Sequence, residues 1–187
     1  MKNTTDQLTT ELEHATRMPS DINEHLPLLS LLAAQCQQVT EFGVRTGCST
    51  LAFLHGLRTK RATLRSYDIN DRFGVYAAMR PHTKTDWVFT CASTLEIPPI
   101  EPTDLLFVDT LHRYAQVAGE LALHGDSVRR WIAFHDTETF GTVGDDGGRG
   151  INEAISEWMA ARPEWRVVYR THRNNGLTVI ERGGRNE

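Results

Sequence analysis

Glu41-Phe42-Gly43-Val44-Arg45-Thr46-Gly47-Cys48-Ser49-Thr50 reads as a strand that runs into a glycine turn and opens a helix. Val39 to Val44 supply the apolar stretch of a buried strand. Ser49 or Thr50 stands where a cap is needed for a helix whose apolar positions Leu51, Phe53, Leu54 and Leu57 follow. Gly43 and Gly47 let the backbone turn and come close to a ligand. An acid on the strand, Glu41, with glycines at the turn suits a nucleoside cofactor.

Outward from this segment the chain alternates. Strand-like runs recur at Ala62 to Ile69, Trp87 to Cys91, Asp104 to Asp109 and Trp131 to His135, with helical patterns between most of them. Tyr114, Val117, Ala118 and Leu121 repeat at helical spacing, as do Ile151, Ala154, Ile155, Trp158 and Met159. Such alternation predicts a mostly parallel sheet covered on both faces. Trp165 to Tyr169 and Leu177 to Ile180 follow each other across Asn174-Asn175-Gly176 and predict an antiparallel hairpin. Upstream, Asp6 to Arg17 and Asn23 to Cys36 read as two helices parted by Pro19 and Ser20. The expected division is an N-terminal helical extension, residues 1–37, packed on a main domain, residues 38–187.

A chain of 187 residues, 40% hydrophobic and 24% charged, fits one domain with a sizeable core and excludes disordered and membrane classes. The net charge of -4 offers no basic footprint, so no nucleic-acid partner is expected; Arg58, Lys60, Arg61 and Arg65 read as a solvated turn and strand edge. Cys36, Cys48 and Cys91 lack the spacing of a disulfide framework or zinc knuckle. The N-terminal residues lack a signal peptide's apolar run, and no stretch approaches a membrane span. A cytoplasmic location and no membrane partner are the expectations. The four tryptophans, Trp87, Trp131, Trp158 and Trp165, read as core or strand-edge residues.

Chemistry-bearing residues gather where the strands end. Asp68 closes the second run, roughly 20 residues past the glycine turn, where an acid accepts hydrogen bonds from ribose hydroxyls. It can equally cap the helix over Phe73 to Met79, and it does not separate one nucleoside cofactor from another. The third run ends in the small residues Cys91-Ala92-Ser93, which also read as a strand end entering an irregular loop. Asp104 to Val108 deliver Asp109, and Trp131 to Phe134 deliver His135 and Asp136, to the edge at which open parallel sheets bind ligands. Asp109, His135 and Asp136 can therefore converge beside the glycine turn. Asp109 also suits a cap for the helix starting near Arg113, and His135 suits a hydrogen bond to backbone. Gly141 to Gly150, with five glycines, reads as a mobile loop, either a lid over the site or a plain surface connection.

The opening segment resembles motif I of class I S-adenosylmethionine-dependent methyltransferases, in the spaced form E-x-G-x-x-x-G-x-S-T. Phe107-Val108-Asp109-Thr110-Leu111-His112-Arg113-Tyr114 and Phe134-His135-Asp136 resemble the F-[IV]-D-x-x-H-x-Y and [FE]-[HE]-D texts of the metal-dependent O-methyltransferase branch, which includes cephalosporin-hydroxylase-like and macrolide sugar methyltransferases. The resemblance spans about Val39 to Ile180. It implies a Rossmann-like α/β methyltransferase fold: a mostly parallel seven-stranded sheet closed by an antiparallel hairpin, with helices on both faces. It implies S-adenosylmethionine bound by Glu41, Gly43, Gly47, Ser49, Thr50, Asp68, Cys91, Ala92, Ser93 and Asp109. It further implies a divalent metal, Mg, Mn or another, on Asp109 and Asp136, with His135 as third ligand or as a group behind the ligands. His112 then stands as the general base beside Asp109, the second catalytic residue, taking the proton of a hydroxyl that the metal acidifies.

The function so implied is O-methylation of a small hydroxylated metabolite or sugar, the small-molecule acceptor being the expected partner. Its specificity is expected from the N-terminal helices, the loop after Met79 and the glycine-rich segment; the same helices suit a homodimer. Two other enzyme readings explain less. A metal-dependent hydroxylase or hydrolase leaves the glycine turn and Asp68 without a role, and an NAD-dependent oxidoreductase leaves the acid and histidine set idle. A non-catalytic cofactor-binding module predicts binding without turnover.

Overall fold

The computed structural model describes residues 4–79 and 85–184, and the loop after Met79 lies outside them. The seven strand-like runs become β1 (Gln38–Phe42), β2 (Thr63–Asp68), β3 (Asp86–Cys91), β4 (Thr103–Val108), β5 (Val128–His135), β6 (Trp165–Thr171) and β7 (Leu177–Arg182). They form one sheet in the order β3-β2-β1-β4-β5-β7-β6. The first five run parallel, while β7 pairs antiparallel with both β5 and β6. Strand order therefore reverses between β1 and β4. A crevice opens at such a point, outside the carboxyl ends of the strands.

Successive side chains of a strand point to opposite faces, and that alternation divides the core in two. Val39, Leu105, Phe107, Trp131, Ala133 and Val179 face one layer, which α1 (Thr4–Arg17), α2 (Leu26–Ala33) and α3 (Cys48–Leu57) cover through Leu8, Leu29, Phe53 and Leu54. Phe42, Leu106, Val108, Ile132, Phe134 and Ile180 face the other, covered by α5 (Tyr114–His124) and α6 (Ile151–Ala160). The remaining helix, α4 (Phe73–Met79), follows β2. All four tryptophans are buried.

Asn23 to Cys36 does not form one helix. A 3-10 turn over Asn23–His25 precedes α2, where Pro27 sits in the first turn and has no N–H to continue an upstream helix. The α1 and α2 helices pack on α3 and the sheet, so the N-terminal segment shares the main core.

Candidate functional site

Backbone bonds extend the parallel ladders past the strand ends and fix the mouth of the crevice. Gly43 N–H donates to Tyr67 O, Ala92 N–H to Asp68 O and Asp109 N–H to Phe42 O, each at 2.9 Å. Gly43 has φ of +89°, and a Cβ there would lie 1.9 Å from the carbonyl oxygen of Asp109. Glycine is required because two strand ends touch, as well as for the turn. Gly47, at φ +85°, is the N-cap of α3, whose first bond runs from Leu51 N–H to Gly47 O. Ser49 and Thr50 are therefore not caps.

They serve Glu41 instead. Its carboxyl is fully buried and accepts hydroxyls from Ser49 at 2.6 Å, Thr50 at 2.9 Å and Ser66 at 2.6 Å, and Trp87 Nε1 donates to Ser66 at 3.0 Å. Burial pushes the Glu41 carboxyl up to about 7, against the pull of those hydroxyls. This cluster braces the turn from beneath. Glu41, Gly47, Ser49 and Thr50 were expected to touch a cofactor, but none lines the crevice, because the strand's alternation turns Glu41 into the core.

The crevice is a cavity of about 480 Å³ lined by Gly43, Asp68, Ala92, Ser93 and Asp109, all expected, and by several residues that were not. Cys91 is not among its walls; it is exposed at the end of β3, with Sγ 3.7 Å from Ile69 O. The Asp68 carboxylate reaches across to the glycine turn, accepting Val44 N–H at 3.0 Å and Arg45 N–H at 2.9 Å on one oxygen, which Arg72 Nε also approaches at 3.1 Å. Among the described residues its other oxygen takes only Asn70 N–H, at 2.8 Å. Burial opposes ionisation, but those donors outweigh it and hold the pKa below the ordinary value. Asp68 is thus a fixed anion at the cavity wall, and it does not cap α4.

Two aliphatic side chains, Ile69 and Leu111, line the same cavity while 62% and 44% exposed. Exposed aliphatics on a polar cavity rim suit the faces of a flat heterocycle. Thr94, Thr110 and Gln116 also line it. None of these five was singled out in the sequence, although Ile69 and Leu111 each follow a strand-end acid by one or two positions.

Asp109 also belongs to a second group. The ligand atoms of Asp109, His112 and Asp136 lie within 4.8 Å of one another. His112 Nε2 is 2.8 Å from Asp136 Oδ2 and 3.6 Å from Asp109 Oδ1, and its ring stacks on Phe140 with centroids 4.6 Å apart. Asp136 has φ of +59°, a left-handed conformation that re-aims the side chain after β5. Its Oδ1 is buried with no hydrogen-bond partner among the described residues, an unmet acceptor of the kind a cation satisfies. One imidazole nitrogen with two carboxylates is a donor set that suits Mn, Fe, Ni or Zn.

His135 stands behind this group. Nδ1 is 3.3 Å from Asp109 Oδ1 and 3.1 Å from Asp136 Oδ2, and Nε2 is 3.0 Å from Asp21 O and 3.3 Å from Asn174 O. Every neighbour is an acceptor, so both ring nitrogens carry protons. Burial disfavours the charged ring, yet the bonds to Asp109 and Asp136 hold its pKa up at about 10. The same competition puts His112 at about 9 and keeps both aspartates below the ordinary carboxylate range. Of the two places expected for His135, third ligand or group behind the ligands, the geometry matches the second, while His112, expected as a base, lies within ligand distance of both aspartates. His112 belongs to the triad, whereas His135 has both nitrogens engaged and braces the two carboxylates from behind.

The glycine-rich segment is tied to this site. Val143 bridges Arg149, Asp145 N–H donates to His112 O at 3.0 Å, Tyr114 N–H donates to Arg149 O at 3.1 Å, and Arg113 pairs with Asp145 at 2.5 Å. Its glycines make a tight docked turn that holds the His112 backbone, rather than the loose loop expected. Asp145 serves this pairing and no metal cluster among the described residues. Residues 20–25 form a strap on the other side: Asn174 Nδ2 donates to Ser20 O at 2.6 Å, Glu24 N–H donates to Asn174 Oδ1 at 3.1 Å, and Arg45 grips Asp21 with both terminal nitrogens at 2.6 Å.

A family model described as a methyltransferase domain matches residues 40–137. Among solved structures, the chain is similar to the N-methyltransferase NodS of Bradyrhizobium japonicum WM9 in complex with S-adenosyl-L-homocysteine (SAH), at 16% identity over 98% of this chain and 100% of that one, TM-score 0.63. It is similar to the SAH-bound methyltransferase PaMTH1 of Podospora anserina, at 18% identity over 98% and 97%, TM-score 0.62. An O-methyltransferase of Bacillus cereus in complex with SAH gives 16% identity over 97% and 91%, TM-score 0.61. At these identities the likeness is one of fold. No curated protein sequence matches the chain.

Proposed function

This chain belongs to the methyltransferase-domain family, and on that premise we propose that it uses S-adenosylmethionine to methylate an oxygen of a small hydroxylated metabolite or sugar, assisted by a divalent cation. The observation that carries the reading is Asp109, which is at once a wall of the nucleoside-sized cavity and a member of the acid and histidine triad. A cofactor site and a cation site that share one side chain bring donor and acceptor together.

Bound S-adenosylmethionine supplies a methyl carbon made electrophilic by its sulfonium, and a divalent cation supplies Lewis acidity toward an acceptor hydroxyl. The protein's part is orientation. Ile69 and Leu111 cover the base, and the less engaged oxygen of Asp68 accepts from the ribose. Asp109, His112 and Asp136 would hold the cation, with His135 and the docked glycine-rich turn keeping their side chains aimed. His112, set between two carboxylates, would serve as a ligand rather than as the base, and the proton of the acidified hydroxyl would pass to solvent.

Calorimetric titration of the full chain should give saturable binding of SAH and none of NAD. Absence of SAH binding would sink the reading. The cation is tested separately, by the loss of the free Mn²⁺ resonance signal on adding protein. Asp109→Ala and Asp136→Ala should each abolish that loss, and Asp136→Ala, which lies off the cavity wall, should still bind SAH. Retained Mn²⁺ binding in both variants would remove the metal from the mechanism.

A further inference from the structure

The opposite edge of the sheet holds a second cavity, of about 550 Å³, that methyl transfer leaves without a task. Four guanidinium side chains line it: Arg129 and Arg130 from β5, Arg166 from β6 and Arg182 from β7. From there β5 runs to His135 beside the triad, so the two sites stand roughly 16 Å apart, the rise of the strand from Arg130 to His135. The chain is acidic, with 24 Asp and Glu against 20 Lys and Arg, and four cations at one opening run against that balance.

Two successive arginines reach the same opening because the ladder is irregular there. Val128 pairs with Thr103 and Trp131 with Leu105, so Arg129 and Arg130 together stand opposite Asp104 alone. Such a bulge interrupts the alternation that sends successive side chains to opposite faces, and re-aims them. Arg130 is held over the Trp131 ring, its Cζ 3.6 Å from the centroid, and Arg182 donates to Val128 O at 3.3 Å.

The neighbouring acids leave much of this charge unmet. Arg166 meets Glu181 at 3.0 Å, but Arg129 is 3.5 Å from Asp104, Arg182 is 3.5 Å from Glu164 and Arg130 is 3.7 Å from Glu181. Close charge-assisted bonds are about 2.7–2.9 Å long, so three guanidiniums keep donors available for another anion. Asp104 also accepts Gln37 N–H at 2.7 Å and Gln38 N–H at 2.9 Å on its second oxygen. Among the described residues Glu181 is the one acid on the cavity wall, against four cations.

We infer that this cavity binds a small metabolite carrying two or more linked phosphate groups. Guanidinium groups take phosphate oxygens in pairs, with a planar fork that matches them. β5 and β6 flank β7, so the cations are rooted about 10 Å apart on either side of Glu181, a separation that suits linked anionic groups better than a single one. The volume likewise exceeds that of a lone oxyanion and falls among metabolite sites. A recess at the strand ends of a chain of net charge -4 offers a nucleic-acid duplex no extended basic track.

The test is calorimetric titration of the full chain with inorganic pyrophosphate in metal-free buffer, with inorganic phosphate and a short DNA duplex for comparison. The wild type should bind pyrophosphate saturably, and about tenfold or more tightly than phosphate. Arg129→Gln and Arg182→Gln should each weaken that binding about tenfold or more. Glu181→Gln should tighten it about threefold or more, because the competing carboxylate is gone, and a misfolded variant would gain no affinity. Saturating SAH should leave the pyrophosphate affinity unchanged. Lack of saturable binding by the wild type overturns the inference, as does binding that SAH displaces or that all three variants leave unchanged. A duplex bound more tightly than pyrophosphate would overturn the ligand class. Failure of the cofactor reading leaves this site untouched, since the arginine and Glu181 variants decide it by themselves.

Discussion

Glu41 shows how a single side chain takes a structural task in place of an expected ligand contact. An acid on a strand beside a glycine turn suggests a ligand, but the two-residue period of β1 sends this one inward, onto three hydroxyls. Its folded pKa of about 7 stands above the ordinary glutamate value of 4.5, so the folded state binds the proton more tightly than the unfolded one. The stability this contributes is fully present below the unfolded value and is lost as pH rises through 7, by roughly 3 kcal/mol. Glu41→Gln, neutral at every pH, should match the wild type in urea unfolding at pH 5 and exceed it at pH 8.5; a pH-independent difference would contradict the assignment. His112 titrates with the opposite consequence for function. Since the proton it holds up to about 9 must leave before a cation binds, Mn²⁺ affinity should rise about tenfold per pH unit between 6 and 8. A flat profile over that range would exclude His112 as a ligand.

Elements decide which residues meet. The ends of β1 and β4 touch at Gly43 and Asp109, so Gly43→Ala meets both a left-handed φ of +89° and a carbonyl oxygen 1.9 Å away. We expect a loss of at least 2 kcal/mol in unfolding free energy, about the sum of backbone strain and a displaced strand end. SAH affinity should fall with it; a variant as stable as wild type would show that the strand ends can separate freely. The elements themselves could be read from the chain, because strand runs such as Asp104 to Asp109 and helical repeats such as Tyr114, Val117, Ala118 and Leu121 carry their period in their own side chains. Helix starts were less readable. Ser49 and Thr50 look like caps locally, and only the partner across the layer, Glu41, claims their hydroxyls. The glycine-rich segment was misjudged for a related reason: its composition suggests looseness, whereas its bonds to His112 and Arg113 come from a helix start 30 residues upstream.

The whole molecule closes the site with segments from its two ends. Asn174, in the hairpin turn at φ +49°, bonds Ser20 and Glu24 through its side chain, while its carbonyl oxygen meets His25 and His135. Asn174→Ala removes two hydrogen bonds and a residue type that tolerates the left-handed region, so about 1–3 kcal/mol of stability should go with it. Trypsin cleavage after Arg17 should quicken if the strap is released, and an unchanged rate would show that α1 and α2 hold it without Asn174. Alternating patterns, glycine turns and strand-end acids sufficed to read the sheet, its late hairpin and the strand-end part of the cavity wall, Gly43, Asp68, Ala92, Ser93 and Asp109, from the chain, because each depends on neighbours close in sequence. The place of each histidine beside the two aspartates and the exposed aliphatics of the cavity wall emerged from the fold. Each depends on which atoms distant segments bring within hydrogen-bond reach, and local periodicity carries no record of that.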